Sequence, residues 1–449
     1  MTATSQPLTR PVVSPAVAAR TVLWAAVLIN VVFVEVLFFT SDVPEKNTLI
    51  TIGKFFGLHV ALIMIFQLIL IARLPFLDRR IGMDTLTSWH RWVGFTLFWT
   101  LVLHVSFIIT GYAQLDGNPI PTQIVSLAGS IPVLLGMVAF VTIVIVVIVS
   151  IRAARRRLSY EAWHAIHFAL YLVLVLVLIH QWFEISTFTV NSVSRVYWFL
   201  LWAFALGALL VGRVIRPLIR NRRHQFRVAA VVPEADNVVS VHVTGKHLDR
   251  LPARAGQFML WRFLGHNRWW QVNPFSLSAA PNGASLRLTA KAIGTTSAGL
   301  RDLPVGTRVF AEGPYGAFTQ LQRTKEATLL IAGGVGVTPI RSLLEELTGP
   351  VTVLYRVQSM ADAVLLNEMQ ALAAMRGARI IVLPGRTGEG DPPNTPFEPA
   401  NLAAMVPDIR DRDVFVCGPA PMTEAVLRSL REIGVPRAQV HAERFRLAA

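Results

Sequence analysis

Residues 89–111 read WHRWVGFTLFWTLVLHVSFIITG, an apolar run with two histidines inside it. The run is long enough to cross a bilayer as a helix, which needs about 20 apolar residues. Its histidines, His90 and His104, are 14 residues apart. On an α-helix that spacing puts them about 40° apart around the axis and about 21 Å apart along it. Because an ionisable side chain is costly in a spanning helix, the run predicts a functional site inside a membrane.

The first half of the chain contains six apolar runs of spanning length, and the second half contains none. A hydrophobic fraction of 53% with a charged fraction of 15% excludes an ordinary soluble protein, and 449 residues exceed one domain. We predict a six-helix membrane domain at 21–218, preceded by a cytoplasmic tail at 1–20. Its spans are predicted at about 21–40, 50–72, 89–111, 131–151, 163–182 and 195–216.

Basic residues alternate between the connections of the predicted spans. The connections 41–49, 112–130 and 183–194 contain Lys46 as their only basic residue, whereas the others are rich in arginine. The positive-inside rule therefore predicts a multi-pass protein of the inner or plasma membrane with both termini in the cytoplasm. The net charge of +15 follows from this topology, so we expect contact with membrane lipid and no nucleic-acid partner.

The fifth predicted span carries a second pair of histidines, His167 and His180, which are 13 residues apart. Both spans run outward in this topology, so His90 is predicted to face His167 near the inner surface and His104 to face His180 near the outer surface. Two histidine pairs at two depths are what two b-type haems with bis-imidazole ligation require. An ideal helix leaves the fifth-span pair about 140° apart, so that span has to bend or present two faces.

Two further histidines leave alternatives open, since an isolated intramembrane histidine often serves only as a hydrogen-bond partner between helices. His164, one turn before His167, is an alternative inner ligand. His59, alone on the second span, is assigned a structural role, with a haem-propionate contact or a proton relay as the alternative.

The pattern of the chain changes after about residue 224. Short alternating stretches bounded by Gly and Pro, such as FRVAAVV and QFMLWRF, predict an antiparallel β-barrel domain at 224–322. From 326 to 449 strands alternate with helices, which predicts an α/β domain with a parallel sheet. The stretch GRTGEGDPPNTPFEP at 385–399 is predicted to be a surface loop.

Three strings in the predicted barrel favour a flavin site: NPFSLS at 273–278, KAIGTT at 291–296 and GPYG at 313–316. An aromatic–serine pair after a strand can lay a hydroxyl near the edge of a flavin ring. Glycine and threonine amides in a tight turn can bind a pyrophosphate. Each string is a weak signal alone, and their order and spacing strengthen it.

Two strings in the α/β part favour a dinucleotide site. GGVGVTP at 333–339 follows a buried strand and opens a helix, where a pyrophosphate can approach the backbone and the positive helix end, although the string is not GxGxxG. CGP at 417–419 ends a strand at the same sheet edge. Cys417 is the only cysteine, which excludes an intramolecular disulfide and a cysteine-ligated iron–sulfur cluster, and it is alternatively just a small buried residue.

The intramembrane histidines, NPFSLS, GPYG, GGVGVTPI, CGP and the terminal Glu443-Arg444-Phe445 together resemble the ferric reductase/NADPH oxidase superfamily over about residues 50–449. Its cytoplasmic half is similar to ferredoxin–NADP reductase. The resemblance implies an FAD-binding β-barrel and an NAD(P)-binding α/β domain, with NADPH or NADH, FAD and two b-type haems as cofactors. The family often has a basic residue or histidine before Pro274, where this chain has Asn273.

Candidate residues can be named for each cofactor site. Haem ligands are His90, His104, His167 and His180; FAD contacts are Asn273, Pro274, Phe275, Ser276, Lys291, Gly294, Thr295 and Gly313; dinucleotide contacts are Gly334, Gly336, Thr338, Pro339, Gly418 and Pro419; Arg356 and Arg386 are candidates for a 2′-phosphate. Cys417 and Phe445 are assigned to the hydride-transfer site, with Phe445 stacked on the flavin as the resemblance implies. Either arginine is alternatively a solvated surface residue.

The predicted function is transfer of electrons from cytoplasmic NAD(P)H through FAD and two haems to a small acceptor at the outer face. Ferric chelates and dioxygen, which would give superoxide, are equally favoured acceptors. A periplasmic protein partner or a quinone is an alternative acceptor. A haem-free flavoreductase tethered to the membrane is the alternative of a different class, and a haem sensor without turnover is a third.

Overall fold

A computed structural model describes residues 15–40, 46–151, 157–158, 160–184, 192–266, 271–292 and 294–443. In this part of the chain, six helices are long and apolar enough to cross a membrane. They are α1 (Pro15–Phe39), α2 (Thr48–Ile71), α4 (Met83–Asp116), α6 (Ile131–Ser150), α7 (Tyr160–Glu184) and α8 (Ser192–Leu210), with the short helices α3 (Pro75–Ile81) and α5 (Ile120–Ala128) between them. Each predicted span falls on one of the six, which confirms a six-helix membrane region.

Helix α2 supplies much of the core of the membrane region, where Leu58 and Leu62 pack with Trp198 and Trp202 of α8. After α8 the chain forms a π-helical turn (Val211–Ile215) and continues as α9 (Arg216–His224). A Cβ atom on Gly212 in this turn would lie 1.8 Å from the carbonyl oxygen of Ala72. Only glycine permits two backbones to approach so closely.

The chain after α9 forms two three-stranded antiparallel sheets over one hydrophobic core. The first sheet contains β1 (Arg227–Ala235), β2 (Val238–Thr244) and β5 (Ser285–Lys291) in that order, and the second contains β4 (Asn273–Ser276), β3 (Phe258–Phe263) and β6 (Val309–Tyr315). Isolated bridges, such as Leu277 with Leu288, connect them. The antiparallel sheets agree with the sequence, and closure into one barrel stays a prediction.

The last part of the chain is a five-stranded parallel sheet in the order β11-β10-β7-β8-β9, as the sequence predicts. Its strands are β7 (Ala327–Gly333), β8 (Val351–Arg356), β9 (Arg379–Leu383), β10 (Arg412–Cys417) and β11 (Val440–Glu443). The helices are α10 (Thr295–Ala298) before the sheet, then α11 (Val337–Glu346), α12 (Leu366–Arg376), α13 (Pro399–Met405) and α14 (Ala420–Ile433). Two separate clusters of buried apolar residues include side chains of the central strands, so the sheet is buried on both faces.

An ion-pair network joins the antiparallel sheets to the parallel-sheet region. The buried guanidinium of Arg287 on β5 donates to both carboxylate oxygens of Glu368 on α12, at 2.8 and 2.9 Å. Arg341 on α11 donates to the same carboxylate at 3.0 Å. Burial opposes ionisation of Glu368, but hydrogen bonds and charge from the two arginines leave its pKa below the ordinary value.

The chain divides into two compact units. Among the described residues, one contains Thr21–Leu74 and Thr85–Gly212, and the other contains Pro75–Asp84 and the chain from Arg213 to Glu443. The short helix α3 therefore belongs with the sheets, although it lies in sequence between two spans. Asp78 on α3 is buried, and its Oδ2 accepts a hydrogen bond from the backbone amide of Gly316 at 2.9 Å.

Candidate functional site

The inner pair of candidate histidines consists of His90 on α4 and His167 on α7. Their ring centroids are 6.4 Å apart, and the ring planes meet at 72°. Two imidazole nitrogens bound at about 2 Å to one metal ion place their ring centroids roughly 6 Å apart. Trp163 stacks on the His167 ring with centroids 5.0 Å apart. The separation of the pair therefore fits one metal ion between the rings.

The outer pair consists of His104 on α4 and His180 on α7, which lie close enough to interact electrostatically. The Nδ1 of His104 donates a hydrogen bond to the carbonyl of Gly53 at 2.8 Å, and the Nδ1 of His180 donates to the carbonyl of Pro132 at 3.0 Å. A carbonyl oxygen can only accept, so both protons are on Nδ1. The Nε2 of each ring is left with a free lone pair, which is the form that binds a metal.

Glycines make room for both outer rings. A Cβ on Gly57 would lie 2.8 Å from the His104 ring, and a Cβ on Gly136 would lie 2.9 Å from the Nδ1 of His180. Both distances are shorter than any ordinary carbon contact. A side chain at either position would therefore displace an outer histidine.

Each pair offers two nitrogen ligands, which is too few for a metal site made of protein alone. Among the described residues, no group of three or more His, Cys, Asp or Glu side chains is arranged to hold a metal ion. A haem iron takes four ligands from the porphyrin and needs two axial ligands from the protein. The arrangement of the four histidines fits two haems in this respect.

The two remaining intramembrane histidines have other surroundings. His164 packs edge-on against Phe168, with ring centroids 4.5 Å apart, whereas His167 faces His90. His59 donates from Nδ1 to the carbonyl of Phe55 at 2.9 Å, and its Nε2 is 3.6 Å from Oε1 of Glu35 on α1. Glu35 was not predicted as a functional residue, although a single carboxylate in the first apolar run is a signal of one.

The predicted flavin contacts lie on β4, at the end of β5, and at the turn that opens α10. Phe275 is half-buried, and the buried hydroxyl of Ser276 has no hydrogen-bond partner among the described residues. Asn273 and Pro274 begin β4, Lys291 ends β5, and Gly294 and Thr295 open α10. Gly313 has φ 122° in β6. An unpartnered hydroxyl beside an aromatic ring fits a site that a polar ring edge completes.

The predicted dinucleotide turn connects β7 to α11. Gly334 has φ 52° and open space where a Cβ would be, and Gly336 is so close to β10 that a Cβ would lie 2.3 Å from the carbonyl oxygen of Cys417. Thr338 and Pro339 are buried in the first turn of α11, while Gly418 and Pro419 follow β10. The structure thus brings the GGVGVTP and CGP strings together at one edge of the sheet.

The residues at the end of β10 are buried. Cys417 has no exposed surface, and burial raises the pKa of its thiol. Cys417 pairs in register with Glu443 on β11. Burial raises the pKa of Glu443 to about 8, and the negative charges of Asp84 and Asp78 add to the rise. Phe445, the other residue assigned to hydride transfer, lies outside the described residues.

The two candidate arginines for a 2′-phosphate differ in their contacts. The buried guanidinium of Arg356 donates to the carbonyls of Leu383 and Pro384, at 3.2 and 3.0 Å. Arg386 is exposed and lies 3.7 Å from the carboxylate of Glu389. Arg386 is therefore the one with its charge toward solvent, and phosphate binding by either stays a prediction.

Three family models match successive parts of the chain. A model described as "Ferric reductase like transmembrane component" matches residues 56–178, which include His90, His104 and His167. A model described as "FAD-binding domain" matches 223–319, and one described as "Oxidoreductase NAD-binding domain" matches 330–428. The second range contains the three flavin strings, and the third contains GGVGVTP and CGP.

The chain is also similar to individual proteins. Dual oxidase 2 of Sus scrofa is 24% identical over 337 residues, which cover 69% of this chain and 21% of that protein. The ferredoxin reductase component of 3-ketosteroid-9-alpha-monooxygenase of Mycobacterium tuberculosis is 31% identical over 239 residues, covering 49% of this chain and 65% of that protein. The solved FAD/NAD-binding domain of nitric oxide dioxygenase from Vibrio cholerae has 25% identity and a TM-score of 0.39, covering 49% of this chain and 98% of that one. The chain thus spans less than two thirds of either of the first two relatives.

Proposed function

Because the chain belongs to the ferric reductase/NADPH oxidase superfamily of NAD(P)H-dependent oxidoreductases, we propose that it transfers electrons from cytoplasmic NAD(P)H across the membrane to an acceptor at the outer face. When bound, FAD would supply the conversion of a two-electron hydride into single electrons, and haem would supply one-electron transfer. The observation that carries the proposal is the inner pair, His90 and His167, with ring centroids 6.4 Å apart, and the position of His104 and His180 farther along the same two helices.

The four histidines would hold the two haems. His90 and His167 would bind the inner iron, and His104 and His180 would bind the outer iron. The carbonyls of Gly53 and Pro132 keep the outer rings in the tautomer that presents Nε2. Gly57 and Gly136 leave room for those rings to keep this orientation.

Residues of the two sheet regions would bind the flavin and the nicotinamide dinucleotide. The Gly334–Gly336 turn presents backbone amides and the positive N-terminal end of α11 to a pyrophosphate. The free hydroxyl of Ser276 can donate to or accept from the polar edge of a flavin ring. Since the pKa of Glu443 is about 8, its carboxyl group keeps its proton at pH 7 and puts no negative charge beside Cys417.

The acceptor is proposed to be small, either a ferric chelate or dioxygen. The connections on the proposed outer side contain Lys46 as their only basic residue, which gives little attraction for a bulky anionic chelate and leaves access to a small molecule. A periplasmic protein partner or a quinone is the alternative. The orientation, with both termini in the cytoplasm, rests on the asymmetry of basic residues.

The experiment that tests the proposal is an absorption spectrum of the purified full-length protein before and after anaerobic addition of NADPH. We expect b-type haem bands that NADPH reduces. His167→Ala should lose about half of the haem absorbance, because one of two axial pairs is broken. His164→Ala is the matched control one turn away and should keep both haems.

Two results would contradict the proposal. If no Soret band appeared after growth with added haem, the membrane region would be an anchor, and residues 224–449 would be a tethered flavoreductase. Haem that dithionite reduces and NADPH does not would indicate a sensor without turnover. With the conduit established, reduction of ferric citrate and formation of superoxide by right-side-out vesicles would be compared to identify the acceptor.

A further inference from the structure

A cleft of about 500 Å³ lies in the unit that contains the sheets, and none of its lining residues is among those assigned to cofactors. Three arginines line it, Arg79 on α3, Arg254 before β3 and Arg376 at the end of α12, together with Glu345 and Glu346. The charge of Arg216, at the start of α9, lowers the pKa of Arg79, although Arg216 is not among the lining residues. The lining of the cleft contains three arginines and two glutamates.

Three of these arginines form no ion pair within the part of the chain that the structure describes. Arg79, Arg216 and Arg254 make no ion pair and no side-chain hydrogen bond with any described residue. The Nε of Arg79 is buried without a partner. Burial lowers the pKa of Arg79, the charges of Arg216 and Arg254 lower it further, and the neighbouring Asp78 offsets this only in part. Repulsion of this kind is relieved when an anion binds.

The two glutamates of the cleft form no ion pair with these arginines. Glu345 accepts from the backbone amide of Ala280 at 2.8 Å and pairs with Arg341. Glu346 accepts from the backbone amide of Ala255 at 2.9 Å and from Gln320, which are neutral donors, so it keeps its negative charge. Three arginines against two glutamates, one of them paired with Arg341, leave an excess of positive charge in the lining.

The cleft is distinct from the dinucleotide turn. That turn lies at the N-terminal end of α11, whereas Glu345 and Glu346 are the last two residues of the same helix. A ten-residue helix is about 15 Å long. Phosphates bound at the Gly334–Gly336 turn are therefore at the other end of α11 from these arginines.

The cationic residues come from segments that adjoin the inner ends of the spans. Helix α3 connects α2 to α4, and α9 continues α8 through the π-helical turn. In the proposed topology both segments are at the cytoplasmic surface, where anionic lipid headgroups attract basic groups. We propose that Arg79 and Arg254, in the lining of the cleft, form a binding site for a phosphate-bearing anion, supplied by an anionic phospholipid headgroup or by a soluble phosphate compound. Guanidinium groups suit this ligand because they bind phosphate oxygens in pairs.

Thermal unfolding of the purified full-length chain in a neutral detergent tests the site without relying on haem or on NADPH turnover. One arm adds phosphatidylglycerol to the micelles, with phosphatidylcholine at the same mole fraction as the reference. The other arm adds sodium pyrophosphate, with sodium chloride at equal ionic strength as the reference. An anion that binds the folded state raises the midpoint temperature.

We expect phosphatidylglycerol to raise the midpoint temperature of the unsubstituted protein. In Arg79→Gln and in Arg254→Gln, the phosphatidylglycerol concentration that gives half of this shift should rise about tenfold. Arg80→Gln is the matched control, since Arg80 is an exposed arginine on the same helix. Without added anion, Arg79→Gln should unfold at no lower temperature than the unsubstituted protein, because it removes repulsion. If Arg79→Gln does not fold, Arg254→Gln alone tests the site, because Arg254 is exposed and its substitution should not disturb the core.

The remaining outcomes separate the two sources or overturn the site. A shift with pyrophosphate alone, lost in the same two variants, supports the site with a soluble ligand. No shift with either anion, or equal shifts in Arg79→Gln, Arg254→Gln and Arg80→Gln, overturns it. Neither result bears on electron transfer, so the two proposals fail separately.

Discussion

The inner and outer histidine pairs are positioned by different interactions. Both outer rings donate Nδ1–H to backbone carbonyls, at 2.8 and 3.0 Å, and lie against Gly57 and Gly136. The inner ring of His167 instead stacks on Trp163, and its Nδ1 has no hydrogen bond to the described residues. The outer site is thus defined by backbone groups and the inner site by an aromatic side chain.

Histidines on the same two helices can therefore differ in their chemistry as ligands. A hydrogen bond from Nδ1–H to a carbonyl fixes the ring and makes the imidazole a more basic ligand. Aromatic stacking restricts the ring without raising its basicity. The inner and outer sites should therefore respond to different substitutions.

The largest effect is expected from loss of an axial ligand. His104→Ala and His90→Ala should each remove about half of the haem absorbance, because each breaks one pair. Both should abolish electron delivery to the outer face in vesicles, while flavin-dependent reduction of a soluble dye by NADPH continues. If either variant kept the full rate of electron delivery to the outer face, electrons would not pass through both histidine pairs in turn.

A smaller loss of haem, confined to the outer site, is expected from substitution of Gly136. Gly136→Ala places a Cβ 2.9 Å from the Nδ1 of His180, so the ring must leave the carbonyl of Pro132. Affinity for the outer haem should fall roughly tenfold to a hundredfold, measured by haem retention on dilution. Gly207→Ala is the control, since no atom lies within 4 Å of a Cβ there. If Gly136→Ala lost both haems equally, the outer pair would not be positioned separately from the inner pair.

The midpoint potentials of the two haems should differ in the unsubstituted protein. With haems bound as proposed, the more basic outer imidazoles would stabilise ferric iron, so the outer haem should have the lower potential. A spectroelectrochemical titration resolves the two midpoints, and the His90→Ala and His104→Ala variants assign them. An outer potential equal to or above the inner one would show that the carbonyl hydrogen bonds do not control the ligand.

The smallest effect is expected at Trp163. Trp163→Leu removes the ring stacked on His167 and should shift the inner midpoint while leaving the outer one unchanged. Trp182→Leu, on the same helix and with an exposed side chain that packs on Phe199, is the matched control. A shift of the outer midpoint by Trp163→Leu would contradict separate control of the two sites.

The elements of this fold could be predicted from the sequence because each carries its own periodicity. Six apolar runs gave six helices, and alternating strands and helices gave the parallel sheet. The helical wheel left two possibilities for His167 and His180, a bend in the fifth span or presentation from two faces. In the structure the ring of His167 lies beside His90 of α4, and His180 donates to the carbonyl of Pro132 on α6.

The partners of these elements could not be predicted, because they depend on how distant segments pack. The carbonyl of Gly53 is 51 residues from His104, and the amide of Gly316 is 238 residues from Asp78. Almost every residue has a backbone amide and carbonyl, so the sequence does not indicate which of them a side chain will bind. The proximity of Glu35 to His59 was partly predictable, because a lone carboxylate in an apolar run indicates a functional residue, but the sequence does not identify its partner.

The burial of Cys417 has a practical consequence for mapping the protein in a membrane. The chain has one cysteine, its side chain is fully buried, and burial raises the pKa of its thiol, so alkylating reagents that attack thiolates should not react with it in the folded state. A cysteine introduced into any exposed connection would then be the sole target for a membrane-impermeant maleimide. Accessibility from each side of a sealed vesicle could be recorded against an unlabelled background without first replacing the native residue.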